Sequence, residues 1–283
     1  MNTSKYYHRL AAAAALTAIS GVAGISRANT VVVSPTNMNG WTLNSFDDNG
    51  TIVNSGPYYG TAAMVTGPAT PPLGVGSAEL ATPVGHGDGA AAIATEGYDG
   101  TLLSSVTALS YSTYDVTNNG SQFPYLTISI AQNDGSGNTD TLFFEPPYQQ
   151  PATGNPALPD QGAPVQNQWQ TWNAFVGGYW DNNGIGNPGT PEGLSPGVEP
   201  LAAFEAAYPL ATIANGGYTG LGGIAMQVGF ASGTAEGYVD AFTIGVAGVN
   251  TTYNFEPAAV PEPASFSILG LGALALLRRR RRA

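Results

Sequence analysis

The sequence contains no cysteine, and between Asn29 and Val260 it contains no lysine or arginine. The first absence excludes a disulfide framework, thiolate zinc centres and cysteine nucleophiles. The second excludes a nucleic-acid face, because neutralising phosphates requires Lys and Arg. Histidine is nearly missing too: His86 is the only one in that stretch, within the glycine-rich run Gly85-His86-Gly87-Asp88-Gly89. Such a run is a poor platform for a catalytic base. No G-x-S-x-G elbow is present, and no P-loop lysine follows the glycine-rich Gly217 to Gly223. Paired carboxylates in a cleft would suit a hydrolase, but nothing in the sequence pairs them. The expected protein is not an enzyme.

What the chain does have is acid in the middle and base at the ends. Its 283 residues carry a formal charge of −11. That figure averages unlike pieces. Lys5, Arg9 and Arg27 lie at the front and Arg278 to Arg282 at the back, while every carboxylate but Glu262 lies between Asn29 and Val260. Stripped of its ends, the chain is almost a pure polyanion.

Both ends read as addresses. Lys5, His8 and Arg9 precede an apolar, alanine-rich stretch from Leu10 to Ile25, followed by small residues at Ser26 and Ala28. A charged start, a short apolar run and an A-x-A-like site are the pattern of a secretory signal peptide, cut after Ala28. An uncleaved anchor helix or a short core helix is the alternative. At the other end, Val260-Pro261-Glu262-Pro263 leads into the mostly apolar Ala264 to Leu277, then five arginines. As a helix that segment rises about 21 Å, short of the roughly 30 Å hydrocarbon core, though snorkelling arginines and local thinning narrow the gap. The arginines belong on the cytoplasmic side by the positive-inside rule. An exported front and a cytoplasmic tail would park the chain in the inner membrane with its acidic body outside.

At these residues the chain resembles the PEP-CTERM sorting-signal proteins of Gram-negative-type bacteria. Pro261, Glu262 and Pro263 match that pattern's motif, Phe266 to Leu277 its helix, and Arg278, Arg279, Arg280, Arg281 and Arg282 its basic cluster. The resemblance implies an exosortase as partner, which cuts near the motif and passes the protein to the envelope or to exopolysaccharide. Membrane anchoring would then be transient. A plain C-terminal anchor is the alternative.

The body is expected to be all-β: a two-sheet β-sandwich of jelly-roll type with long loops and one short helix, flanked by the signal helix and the apolar tail helix. The boundaries are 1–28 for the signal peptide, 29–258 for the domain and 259–283 for the sorting signal. Tyr125 to Ile130 alternates, Asn133 to Asn138 turns, and Thr141 to Glu145 resumes, which predicts a hairpin. Ile224 to Phe230 and Tyr238 to Val246 alternate too, with weaker strand patterns at Val31 to Val33, Trp41 to Phe46 and Leu102 to Tyr114. Leu201, Phe204 and Tyr208 after Pro200, with Pro209 beyond, predict a helix. Several stretches, Thr141 to Pro147 and Tyr253 to Pro257 among them, resemble segments of exported PEP-CTERM proteins of unknown activity.

Two kinds of site are suggested. The first would hold Ca²⁺. Asp134, Ser136, Asn138 and Asp140 take positions 1, 3, 5 and 7 of an EF-hand-like spacing with Glu145 at 12, but Thr139 replaces the glycine at 6 and the flanks are strands. Asp240 alternates with Tyr238, Phe242, Ile244 and Val246, so it is expected on their apolar face, with no base to pair it. A buried carboxylate costs several kcal/mol unless compensated. A metal ion, N–H or hydroxyl donors, protonation, or a strand end near water would each answer it. Jelly-roll carbohydrate-binding modules resemble this arrangement, with Ca²⁺ against an acid in the last strands. Asp47 and Asp48 are candidate co-ligands.

The second kind of site is aromatic. Trp169 falls on the polar face of its predicted strand and Trp172 on the core face. Trp169, with Tyr179 and Trp180 close by, is a candidate platform for a sugar ring. The resulting expectation is an exported structural or adhesive protein of the cell envelope or extracellular matrix. A carbohydrate-binding module for exopolysaccharide is the alternative, and a secreted hydrolase a more distant one.

Overall fold

The computed structural model describes residues 29–53, 58–83, 89–118, 123–181, 197–217, 220–230 and 233–258. His86, the expected signal helix, the apolar tail and the sorting residues Pro261 to Pro263 and Arg278 to Arg282 lie outside these residues.

Among the described residues fifteen strands and one α-helix follow one another: β1 (Asn29–Val33), β2 (Trp41–Phe46), β3 (Thr61–Thr66), β4 (Gly76–Ala81), β5 (Ala90–Thr95), β6 (Val106–Thr117), β7 (Tyr125–Ala131), β8 (Thr139–Phe144), β9 (Trp169–Trp172), β10 (Gly178–Asp181), β11 (Glu199–Pro200), α1 (Leu201–Ala207), β12 (Thr212–Ile213), β13 (Ile224–Gly229), β14 (Glu236–Val246) and β15 (Val249–Phe255). They form two sheets. The seven-stranded sheet runs β1-β15-β14-β4-β3, with β6 beside β14 and β9 beside β6. The eight-stranded sheet runs β11-β10-β8-β7-β13-β5-β2, with β12 on β7. Among the described strands the β1–β15 ladder is parallel and the others are antiparallel, with one isolated parallel bridge between Asp115 and Gln166.

The sheets pack face to face. Leu80, Leu109, Tyr111, Trp172, Val239, Phe242, Ile244 and Phe255 from one meet Trp41, Ile93, Leu126, Ile128, Leu142, Phe144, Tyr179, Met226 and Val228 from the other in one buried cluster. Trp41 anchors it, with edge-on contacts to Phe242, Tyr253 and Phe255 at centroid distances of 5.1–5.4 Å. A β-sandwich results.

The predicted hairpin is present: β7 and β8 pair from Leu126 with Phe144 to Ala131 with Thr139. The helix is also where its spacing placed it, with Leu201 and Phe204 buried. Leu102 to Tyr114 divides, since Leu103–Ser105 forms a 3-10 turn before β6 begins. Among the described residues no helix is long and apolar enough to cross a membrane.

Candidate functional site

β14 is the longest strand outside β6, and its two edges behave differently. One edge follows β6 from Glu236 to Val246. The other pairs with β4 over Glu236–Val239 and with β15 over Phe242–Val246. Asp240 and Ala241 stand at the handover, with neither neighbour paired to them. Ala241 takes φ +53° there, a β-bulge that shifts the strand's phase.

That bulge corrects the expected orientation of Asp240. Strict alternation placed it with Phe242 and Ile244, but only Val239, Phe242 and Ile244 enter the core. Asp240 shares the outward face with Tyr238. It is still 0% exposed, because the β3–β4 loop, Gly67 to Val75, folds over this face. The Leu73 amide donates to Asp240 Oδ2 at 2.9 Å and the Phe255 amide donates to Oδ1 at 3.1 Å. The carboxylate thus caps the Phe255 amide at the split edge and the Leu73 amide of the loop. Burial pushes the Asp240 carboxyl up to about 7, against the pull of the Phe255, Ala241 and Leu73 amides and with help from the charge of Glu256.

Glu256, just past β15, is the residue the sequence reading missed. It too is 0% exposed, and its Oε1 accepts the Val75 amide at 3.0 Å. Its Oε2 and the Oδ1 of Asn254 are buried without a hydrogen-bond partner. Gly74, with φ +60°, lies between the two anchored amides; a Cβ there would fall 1.4 Å from Glu256 Oε1 and 2.9 Å from Asn254 Nδ2. The available signal was the alternation of Asn254 and Glu256 against the core residue Phe255 at the end of a strand.

The same outward face carries an aromatic row across three neighbouring strands. Tyr238 of β14 stands edge-on to Tyr114 of β6 at 6.2 Å, and Tyr114 is tilted against Trp169 of β9 at 5.6 Å. All three are half-buried. The Trp169 indole N–H donates to the Pro68 carbonyl at 3.0 Å, so the β3–β4 loop also walls this row. At the far side the Tyr238 hydroxyl donates to Glu79 Oε1 at 3.3 Å and Glu236 Oε1 at 3.1 Å. Burial, then the Glu79 and Glu236 carboxylates, hold that hydroxyl protonated well above the usual tyrosine range. Ser112 and Thr171 share a hydroxyl–hydroxyl bond of 2.8 Å beside the row. Stacking surface, hydroxyls and carboxylates therefore occupy one face.

The other expected sites do not assemble. Tyr179 is fully buried in the core with its hydroxyl donating to Ala174 O, so no sugar reaches it. Trp180 lies flat on Phe143, at 4.0 Å and 6°, on the outward face of the opposite sheet, and its indole N–H donates to Glu145 Oε1. Trp169 and Trp180 therefore belong to different surfaces. In the β7–β8 turn, Asp134 Oδ1 accepts the Ser136 amide and Ser136 Oγ accepts the Asn138 amide. The Ser136 hydroxyl and amide hold the Asp134 carboxyl below its ordinary value. Asp140 instead turns inward, 2% exposed, and takes the Thr141 amide. Strand alternation separates the donors that the EF-hand spacing would have gathered.

Asp47 closes the turn after β2, accepting the Asn49 and Thr51 amides, which lower its carboxyl's proton affinity, Thr51 most. It and Asp48 belong to the eight-stranded sheet, away from Asp240. Among the described residues no three acids or histidines converge on a metal position.

Comparison with known proteins turns on the C-terminus. Residues 259–282 match the PEP-CTERM protein-sorting motif. The chain carries a PEP-CTERM sorting signal. That signal implies an exported, envelope-associated protein processed by an exosortase. No curated protein and no solved structure matches the chain.

Proposed function

We propose that this PEP-CTERM protein is a non-enzymatic β-sandwich of jelly-roll type, delivered to the envelope or extracellular matrix as a structural and adhesive component. Its signal peptide ends at Ala28, and its tail holds it in the inner membrane until exosortase cuts. The sorting motif at residues 259–282 supports the delivery. The acidic pair at Asp240 and Glu256 does not support a hydrolase, since both side chains are fully buried and occupied with backbone amides.

The adhesive contact is the Tyr238–Tyr114–Trp169 row, and its ligand is exopolysaccharide. This single observation carries the reading: three aromatic rings on adjacent strands beside Glu79, Glu236, Ser112 and Thr171 offer stacking area and hydrogen bonds together. The test is retention of the purified full chain on immobilised polysaccharides, including exopolysaccharide from the producing cells. Retention should fall about fivefold to thirtyfold in Trp169→Ala and Tyr114→Ala, since each ring contributes on the order of 1–2 kcal/mol. Trp180→Ala should bind as the parent does. Absence of retention on any polysaccharide sinks the sugar reading and leaves the structural one. Intact mass of the exported protein tests delivery: a mature form retaining Arg278 to Arg282 refutes processing.

A further inference from the structure

Asp240 and Glu256 bring two carboxylates, both 0% exposed, to one place under the β3–β4 loop. No lysine or arginine exists anywhere between Asn29 and Val260 to balance them. Hydrogen bonds account for three of the four carboxylate oxygens. Leu73 and Phe255 amides serve Asp240, and Val75 serves Glu256 Oε1. Glu256 Oε2 is left over, and so is the Oδ1 of Asn254, whose residue is 7% exposed. A buried anionic oxygen and a buried amide oxygen left without partners both keep the full cost of losing water. The side of the cluster against the loop is built from glycine: a Cβ at Gly74 would collide with Glu256 Oε1, and one at Gly76 would lie 2.9 Å from Glu256 Oε2. The loop is shaped to approach these oxygens closely.

We propose that Glu256 Oε2 and Asn254 Oδ1, together with the Asp240 carboxylate, are the protein half of a divalent-cation site that pins the β3–β4 loop, with Ca²⁺ as its ion. The donors are all oxygen, which selects hard cations over zinc or copper. Two carboxylates and an amide leave room for loop carbonyls and water, and Ca²⁺ accepts six to eight such ligands in irregular geometry. A 2+ ion would balance two buried negative charges for which the domain has no lysine or arginine. The site is independent of the EF-hand-like turn and of Asp47 and Asp48, and it does not depend on sugar binding. It reaches the aromatic row only through the loop, which offers Pro68 O to Trp169.

The experiment titrates CaCl₂ by calorimetry into the full chain, purified in mild detergent and stripped with EDTA, at moderate salt to suppress diffuse binding to the acidic surface. Thermal unfolding follows the same samples. One Ca²⁺ per chain should bind in addition to whatever Glu256→Gln binds. At a hundredfold excess over Kd, the melting temperature should rise by about 5–10 °C. Glu256→Gln keeps the shape, removes one buried charge, and should lose both the ion and the rise while the stripped variant melts no lower than the stripped parent. Asn254→Ala, which leaves both carboxylates, should bind at least about tenfold more weakly. Absence of binding up to about 10 mM with an unchanged melting temperature overturns the site. So does binding that is undiminished in both variants, which would place the ion elsewhere.

Discussion

Asp240 in β14 and Glu256 just past β15 grip one short stretch of loop, Asp240 through the Leu73 amide and Glu256 through the Val75 amide, with Gly74 between. This arrangement ties three distant parts of the chain together without a base or a disulfide. It also makes the conformation of Gly74 a requirement: φ is +60°, and the space its side chain would need is filled by a carboxylate oxygen.

Gly74→Ala should therefore cost about 3 kcal/mol, combining left-handed strain with displacement of a buried charged group. Gly137→Ala is the control. Its φ is +75° but nothing lies within 4 Å of the new Cβ, so strain alone should cost about 1 kcal/mol. Urea unfolding of both variants gives the difference from the midpoints. Equal losses would mean that the carboxylate clamp has slack.

The pH dependence follows from the same pair. Asp240 is raised from an ordinary carboxylate value to about 7, chiefly by burial. Between roughly pH 4 and pH 7 the folded chain thus holds a proton that the unfolded chain has released. Its contribution to stability is present in full below the unfolded value and is lost as pH climbs through the folded one, at no more than about 1.4 kcal/mol per pH unit. Glu256 is the charged group whose proximity raises it. Glu79, Glu236 and Tyr238 share its sheet face, the β3–β4 loop brings no charge, and among the described residues no basic side chain faces it. Asp115, raised to about 6 mainly by burial, acts in the same direction. Stripped of divalent ions, the protein should melt higher at pH 5 than at pH 7.5. Asp240→Asn should flatten that slope; an unchanged slope would assign it to Asp115 and general surface repulsion.

Where hydrophobic alternation was clean, the sequence foretold the strand: β7, β13 and much of β14 follow from Leu126-x-Ile128-x-Ile130, Ile224-x-Met226-x-Val228 and their like. β5 was illegible because Ala90–Thr95 is buried on both faces, so its alanines show no period. β15 was hidden by polar residues between Asn250 and Asn254, though Tyr253 and Phe255 pack on Trp41. The burial of Asp240 was anticipated on a wrong geometry. Alternation cannot report a bulge, and it was Ala241 at φ +53° that turned Asp240 outward beneath a loop. Trp169 lies on the outward face, as its alternation indicated, whereas Tyr179 is in the core, since neighbouring residues on strand β10 point to opposite faces. Tyr114 and Tyr238, from strands far away in the chain, line up with Trp169 instead.

Trp169 is held as well as displayed, and the two roles separate by substitution. Trp169→Phe keeps a ring over Tyr114 but removes the N–H donated to Pro68 O. It should cost about 1 kcal/mol of stability, the usual net worth of one such bond. Polysaccharide retention should fall less than in Trp169→Ala, because a phenyl ring still stacks. A full loss of retention in Trp169→Phe with unchanged stability would mean that the indole N–H serves a ligand rather than the loop.

The last prediction uses the absence of bases directly. Trypsin needs Lys or Arg, and none occurs after Arg27 until Arg278. Resistance of the body to trypsin is therefore chemical rather than structural, and should persist in urea concentrations that unfold the domain while trypsin stays active. Digestion of the full chain should trim only the ends and leave a single fragment running from Ala28 to Arg278. A protease that cuts after acidic residues should behave oppositely, slow on the folded protein and rapid on the unfolded one, because Asp115, Asp140, Asp181 and Asp240 are all at most 3% exposed in the fold. If it cleaves the native protein after Asp240 as fast as after exposed Asp48 or Asp134, the β3–β4 loop does not cover that carboxylate. Added Ca²⁺ should slow that cleavage further, by raising the free energy of opening the loop.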